Sequence, residues 1–82
     1  MNNSFYNDFA ARFAASTLIS LVESFNGQVG KRGFNSMRAA HDQALIDELV
    51  RRGVDVSAVF DGTNLSFAHH VELDNNSLVI KK

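Results

Sequence analysis

Apolar and polar residues alternate along the C-terminal third of the chain. The positions of one parity form two runs: Val54, Val56, Ala58 and Phe60, then Leu65, Phe67, His69, Val71 and Leu73. Successive side chains of a strand point to opposite faces, so this period of two predicts a sheet with one buried face and one solvent-exposed face. We predict three strands: residues 54–60, 65–73 and 77–81.

Two turns are predicted between these strands. Residues 61–64 read Asp-Gly-Thr-Asn, a sequence that strongly favours the tight turn of a β-hairpin. Residues 74–77 read Asp-Asn-Asn-Ser, and asparagine accepts a positive φ more readily than most residues. For residues 54–60 a second interpretation stays open, in which Asp55 or Ser57 caps one short helical turn that ends at Phe60.

The N-terminal half of the chain has the apolar spacing of helices. We predict one helix over residues 4–26 and a second over residues 35–52. Residues 26–27, Asn-Gly, end the first helix because both tolerate the left-handed conformation of a C-cap, and Gly53 ends the second. The predicted fold class is therefore α+β, in the order ααβββ, with two N-terminal helices on one face of a three-stranded antiparallel β-meander.

The first predicted helix carries two apolar stripes that do not coincide around its axis. Phe5, Phe9 and Phe13 recur every four residues and face one way. The second stripe is rotated well round from them and consists of Leu18, Leu21, Val22 and Phe25. A helix that is apolar on two sides must be covered on two sides. Either the domain wraps this helix, or the phenylalanine stripe is a surface for a partner or for a second copy of the chain.

Length and composition narrow the class of protein. The chain has 82 residues, which indicates a single small domain over residues 1–82 with a limited core. It has no cysteine, so disulfides and thiolate chemistry are excluded. A net charge of −1 lowers the expectation of nucleic-acid binding. We expect no secretory leader, membrane span or membrane partner, and hence a cytoplasmic location.

The histidines do not predict a metal site. His69 and His70 are consecutive, so on a strand they point to opposite faces and cannot share one ion. Glu72 lies on the same face as His70, but the pair supplies too few ligands for a structural zinc site. We expect His69 to be partly buried on the apolar face and His70 to be solvated. Neither a metal nor another cofactor is expected.

Catalytic chemistry is not expected either. Adjacent helical residues such as His41 and Asp42 diverge around the axis, and no serine lies in a nucleophile elbow. The chain is therefore predicted not to be an enzyme.

The glycine-rich segment at residues 30–33 is the best candidate for binding a small anion. Lys31 and Arg32 precede a helix N-terminus, whose free amides favour anions. Arg51 and Arg52 at the end of the second helix add two more cations. These four residues are the predicted contacts for an anion or an acidic partner, although an exposed connection that uses glycine to turn has the same composition.

These observations favour a small non-enzymatic accessory protein that binds another protein. We expect a homodimer that modulates or inhibits a larger bacterial or phage-related machine, for example as an anti-defence inhibitor. The alternative interpretation is a module that binds an anion, a nucleotide or a nucleic acid through the basic loop at residues 30–33.

Overall fold

The computed structural model describes residues 4–30 and 35–81. In this part of the chain, three helices precede one antiparallel hairpin. The helices are α1 (Ser4–Ala14), α2 (Leu18–Asn26) and α3 (Ser36–Arg51), and the strands are β1 (Val71–Asp74) and β2 (Ser77–Ile80). The predicted α+β class is confirmed. The predicted order ααβββ with a three-stranded meander is wrong, because the described residues form three helices and a two-stranded sheet.

The predicted helix over residues 4–26 is interrupted at residues 15–17. Thr17 is extended, and its hydroxyl oxygen accepts a hydrogen bond from Ser20 N at 3.1 Å, which makes it the N-cap of α2. The interruption lets both apolar stripes reach one core, where Phe13 of α1 and Leu21 and Phe25 of α2 are buried. The conflict between the two stripes is thus resolved by dividing the helix.

The last helix begins after the N-cap Asn35 and ends at Gly53, as predicted for its C-terminus. The side chain of Asn35 accepts a backbone N–H of the first turn of α3 at 2.8 Å. Gly53 has a φ of 81°, and its N–H donates to Val50 O at 2.9 Å. The N–H of Val54 donates to Leu49 O at 3.0 Å, which completes a Schellman motif. Leu49 and Val54 are both buried in the core, which is common for the two apolar positions of this motif.

Residues 56–60 form one helical turn, and of the first predicted strand there remains an isolated parallel bridge between Asp55 and Ser77. Asp55 Oδ1 accepts a hydrogen bond from Ser57 N at 2.8 Å. Val56 O accepts the N–H groups of Val59 and Phe60 at 3.0 and 2.9 Å. The alternative interpretation of this segment, with Asp55 as its cap, is therefore confirmed.

The second predicted strand, at residues 65–73, is paired only over Val71–Asp74. Residues 61–64 do turn, since Gly62 has a φ of 97°, but the flanking pairing is an isolated bridge between Phe60 and Leu65. Backbone groups of residues 66–67 bond elsewhere: Ser66 N donates to Val59 O at 2.8 Å and Phe67 O accepts from Gly30 N at 3.4 Å. These bonds to the helical turn and to the end of the 27–30 turn replace a strand partner.

The final hairpin has the predicted turn. Asn75 and Asn76 have φ values of 49° and 65°, so both occupy the left-handed region between β1 and β2. The register pairs Val71 with Ile80 and Asp74 with Ser77. The third predicted strand, at residues 77–81, is one residue shorter than predicted.

The core lies where α3 packs on α1 and α2 and where α2 packs on β1. Its buried apolar residues are Phe13, Leu21, Phe25, Ala44, Leu45, Ile46, Leu49, Val54, Val56, Val59, Val71 and Leu78. Within residues 4–30 and 35–81, no helix has both the length and the apolar character needed to cross a bilayer.

Candidate functional site

A buried carboxylate, Asp42, is the centre of a polar cluster on the N-terminal half of α3. Its side chain is only 7% exposed. Oδ1 lies 3.0 Å from His41 Nδ1, and Oδ2 lies 3.7 Å from Arg38 Nε. Arg38 also donates from Nη2 to Gln28 O at 3.2 Å. A buried charge is costly unless it is partnered, and these contacts provide partners while joining α3 to the turn after α2.

The contact between His41 and Asp42 corrects the expectation that these adjacent residues diverge. The imidazole stands edge-on against two rings of α1, with centroids 5.0 Å from Phe9 and 5.2 Å from Phe13. The interplanar angles are 83° and 80°. In this orientation Nδ1 reaches the neighbouring carboxylate, so packing against α1 overrides the ordinary divergence of adjacent helical positions.

The predicted phenylalanine stripe runs from the surface into the core. Phe5 is 45% exposed, Phe9 is partly buried, and Phe13 belongs to the core. Phe9 is held from two sides, by the edge of His41 and by Arg12, whose guanidinium carbon lies 5.5 Å from the ring centroid. Of the three predicted surface residues, Phe5 and Phe9 therefore retain accessible area.

Phe9 lines a surface groove of about 270 Å³. The residues of this aromatic groove are Phe9, Gln28, Asn35, Met37, Arg38 and His41. Met37 is 48% exposed, and Phe5 lies one helical turn before Phe9 on the same face of α1. The lining includes neither a hydroxyl nor a thiol side chain among the described residues.

A second depression, of about 350 Å³, shares Arg38 with the lining of the aromatic groove. We call it the polar pocket. On the side of α3 it is lined by Ala39, Asp42 and Gln43. On the side of residues 63–67 it is lined by Thr63, Asn64, Leu65 and Phe67.

Two of the four predicted anion contacts, Arg51 and Arg52, pair with the buried carboxylate of Glu48. Arg51 Nε donates to Glu48 Oε1 at 3.1 Å, and Arg52 Nε donates to Oε2 at 2.6 Å. The hydrogen bonds from Arg51 lead the causes that lower the pKa of Glu48, opposed by its burial. Lys31 and Arg32 lie outside the described residues.

Arg52 also closes the C-terminus of α1. Its Nη2 donates to Phe13 O at 2.9 Å, to Ala14 O at 3.3 Å and to Ser16 O at 2.7 Å. A helix leaves its last carbonyl groups without intrahelical partners, and this guanidinium supplies them. Arg52 therefore has a structural role in joining α3 to α1, whereas the guanidinium of Arg51 remains largely exposed.

The histidines of the predicted second strand are both exposed. The expectation that His69 is partly buried is wrong, because residues 66–70 are not part of a strand in the sheet. Across residues 4–30 and 35–81, no group of three or more His, Cys, Asp or Glu side chains is placed to hold a metal ion.

The sequence contained a signal for the polar cluster that our prediction missed. Arg38 and Asp42 are four residues apart and continue the helical face of Leu45 and Leu49. A charged pair that extends an apolar stripe is expected to be buried and paired.

Comparisons with protein-family descriptions, with curated proteins and with solved structures each find no match to the chain.

Proposed function

We propose that this chain is a small non-enzymatic accessory protein that acts by binding another protein at the aromatic groove. The observation that carries the proposal is the Phe9 ring, which is partly exposed yet held by His41 and Arg12. Phe5 and Met37 extend this surface with side chains that are 45% and 48% exposed.

The physical argument is preorganisation. Aromatic residues and methionine are enriched in protein interfaces, and a ring that is already ordered loses little conformational entropy when a partner binds. His41 orders Phe9 and is itself ordered by Asp42, which pairs with Arg38. Scattered exposed apolar residues are normal on a protein surface, but Phe9 and Met37 line one groove and Phe5 continues the same helical face.

The proposal includes the biological setting inferred from the sequence. The chain acts in the cytoplasm, as a homodimer, to modulate or inhibit a larger bacterial or phage-related machine. A binding role rather than catalysis is supported by the groove beside His41, whose described lining offers no hydroxyl or thiol nucleophile.

The test is capture of a partner from a bacterial lysate by the tagged chain, followed by identification of the retained protein. Phe5→Ser and Met37→Ser remove exposed apolar groups from the surface without entering the core. Ile19→Ser and Val50→Ser are matched controls, because these residues are 70% and 53% exposed but neither line the groove nor continue the Phe9 face of α1. We expect the two groove variants to lose the partner and the two control variants to retain it.

Light scattering at micromolar concentration tests the homodimer in the same four variants. The native chain and the controls should be dimeric, and groove variants that become monomeric would assign the groove to a second copy of the chain instead of to another protein. Equal capture by all four variants, or recovery of nucleic acid in place of a protein, would contradict the proposed function.

A further inference from the structure

The only Asn-Gly dipeptide of the chain, Asn26-Gly27, lies where α2 ends. In such a dipeptide the backbone nitrogen of glycine, once deprotonated, can attack the side-chain carbonyl carbon of asparagine, Cγ, because glycine has no Cβ that blocks the approach. The attack closes a succinimide ring and releases the side-chain nitrogen as ammonia. Water then opens the ring at either carbonyl group, so that aspartate or isoaspartate replaces asparagine.

The folded structure engages both reacting groups in other bonds. The N–H of Gly27, which must lose its proton before the attack, donates to Glu23 O at 2.9 Å. The side-chain amide that contains Cγ is held by Val71: Asn26 Nδ2 donates to Val71 O at 2.9 Å, and Val71 N donates to Asn26 Oδ1 at 2.8 Å. In a helix the side chain also points back toward the N-terminus, away from the nitrogen of the next residue. The reaction therefore requires the end of α2 to separate from β1.

The fold does not require glycine at position 27. Gly27 has a φ of −65° and a ψ of −19°, in the right-handed region that is open to any residue. A Cβ at this position would lie 3.5 and 3.6 Å from the carbonyl oxygens of Glu23 and Ser24, which is ordinary van der Waals contact. Glycine here costs conformational entropy and relieves no steric conflict. What it adds at this position is the reactivity of the Asn-Gly dipeptide.

Two features make a local opening easier than global unfolding. Asn26 is the last residue of α2, and helix ends fray. Val71 begins a strand of four residues, in a sheet that has two strands in the described part of the chain. A two-stranded hairpin is only marginally stable by itself. Such regions open with free energies below that of global unfolding.

We propose that Asn26-Gly27 is a self-modification site controlled by the hydrogen-bonded pair of Asn26 and Val71. While the pair is closed, the dipeptide does not react. When the pair opens locally, Gly27 N attacks Asn26 Cγ, ammonia leaves, and water completes the conversion to aspartate or isoaspartate. The new carboxylate cannot donate to Val71 O, so the product does not re-form the pair. The modification is therefore one-way, and it limits the lifetime of the native fold.

The experiment ages the native full chain and the urea-unfolded chain side by side at neutral pH in ¹⁸O-labelled water. Mass spectrometry of the peptide that contains residues 26–27 follows the product, whose new carboxylate takes a labelled oxygen from water. We expect the native chain to react at least about 30-fold more slowly, because both hydrogen bonds of Asn26 must open first. Urea below the unfolding transition should leave the native rate nearly unchanged, since a local opening exposes little surface.

Three variants test the assigned atoms and the opening. Gly27→Ala should slow the reaction of the unfolded chain at least about tenfold, because the added methyl group hinders the attack, while the folded chain stays at least as stable. Val71→Ala loosens β1 against α2 and should speed the native reaction about tenfold. Val59→Ala is the matched control, since it makes the same change at a buried residue outside α2 and β1, and it should leave the native rate unchanged.

The modified chain, separated by its additional negative charge, tests the consequence for the fold. It should unfold at a lower urea concentration than the fresh chain, whereas Gly27→Ala aged for the same time should match its own fresh sample. Four outcomes would overturn the inference: equal rates in the native and unfolded chains, a native rate that rises with the unfolded fraction in urea, equal acceleration by Val71→Ala and Val59→Ala, or a modified chain as stable as the fresh one.

Discussion

Asn26 and Val71 are joined by two hydrogen bonds in which a side-chain amide takes the place of a neighbouring strand. Asn26 Nδ2 donates to Val71 O at 2.9 Å, and Val71 N donates to Asn26 Oδ1 at 2.8 Å. Asn26 is the last residue of α2 and Val71 is the first of β1, so the pair ties a helix end to the hairpin. It also satisfies two backbone groups of a buried residue on the edge of a short sheet.

Replacing Asn26 should destabilise the protein through these two bonds. We expect Asn26→Ala to lower the free energy of unfolding by about 2 kcal/mol, since it leaves both backbone groups of Val71 without this partner. Asn26→Asp should not restore stability, because a carboxylate accepts from Val71 N but repels Val71 O. Urea denaturation measures both effects. Asn7→Ala, at an exposed position of α1, is the control, and native-like stability of Asn26→Asp would show that the donated bond adds nothing.

The features that could be predicted from sequence are those determined by neighbouring residues. Asn35, Gly53 and the pair at residues 75–76 each act within a few residues of their own position, through caps and positive φ values. Gly27 was assigned correctly as the end of a helix, but for the wrong reason. Its φ is −65°, and the left-handed residue of this turn is Gly30.

The features that were missed depend on contacts between distant residues. The interruption between α1 and α2 is accompanied by the guanidinium of Arg52, which lies 36–39 positions along the chain from the carbonyl groups that it binds. The alternation at residues 54–60 and 65–70 predicted strands, and Val54 and Val56 are buried as that pattern requires. The backbone groups of these two residues, however, bond in turns. The contact between His41 and Asp42 was missed for the same reason, since packing against α1 orients His41 toward Asp42.

Arg52 and Arg51 should differ sharply in their tolerance of lysine. Arg52→Lys should cost about 1–2 kcal/mol, because one ammonium group cannot reproduce the fork that joins Glu48 to three carbonyl groups of residues 13–16. Arg51→Lys is the matched control, and it should cost less than about 0.5 kcal/mol because its side chain is largely exposed. Thermal unfolding of the two variants measures the difference. Equal losses would contradict the role of Arg52 in closing α1.

The hairpin turn should respond to changes that alter access to positive φ. Asn76 has a φ of 65°, so Asn76→Val should cost about 1 kcal/mol, because a β-branched residue resists the left-handed region. Asn76→Gly should be neutral or stabilising, since glycine adopts this conformation without a steric penalty. Urea denaturation of the two variants gives the ranking, and a stable valine variant would show that this turn tolerates strain.

Glu48 should make the free energy of unfolding depend on pH in the acidic range. Its pKa is lowered in the folded protein, chiefly because Arg51 donates to its carboxylate and further because Arg52 does. A lowered pKa means that the folded state binds protons less readily than the unfolded state. The stabilisation is therefore present at neutral pH, and it is lost as the pH falls below the ordinary glutamate value of 4.5 and through the folded pKa. Glu48→Gln removes the titrating group, so the variant should be less stable than the native chain near neutral pH.

The stability gap between the native chain and Glu48→Gln should then narrow as the pH falls from about 7 to about 3, because the native carboxylate becomes protonated and its ion pairs with arginine are lost. Asp55 and Asp61 also have lowered pKa values, from backbone hydrogen bonds led by Ser57 and Asn64 respectively, so both proteins still lose stability in acid. Only the part due to Glu48 should differ between them. Urea denaturation at several pH values measures the gap, and Glu72→Gln, at an exposed position of β1, should show a constant offset. A difference in the free energy of unfolding between the native chain and Glu48→Gln that stays constant down to about pH 3 would contradict this prediction. It would mean that the arginines bind the protonated and the ionised carboxyl group equally well, which an ion pair does not allow.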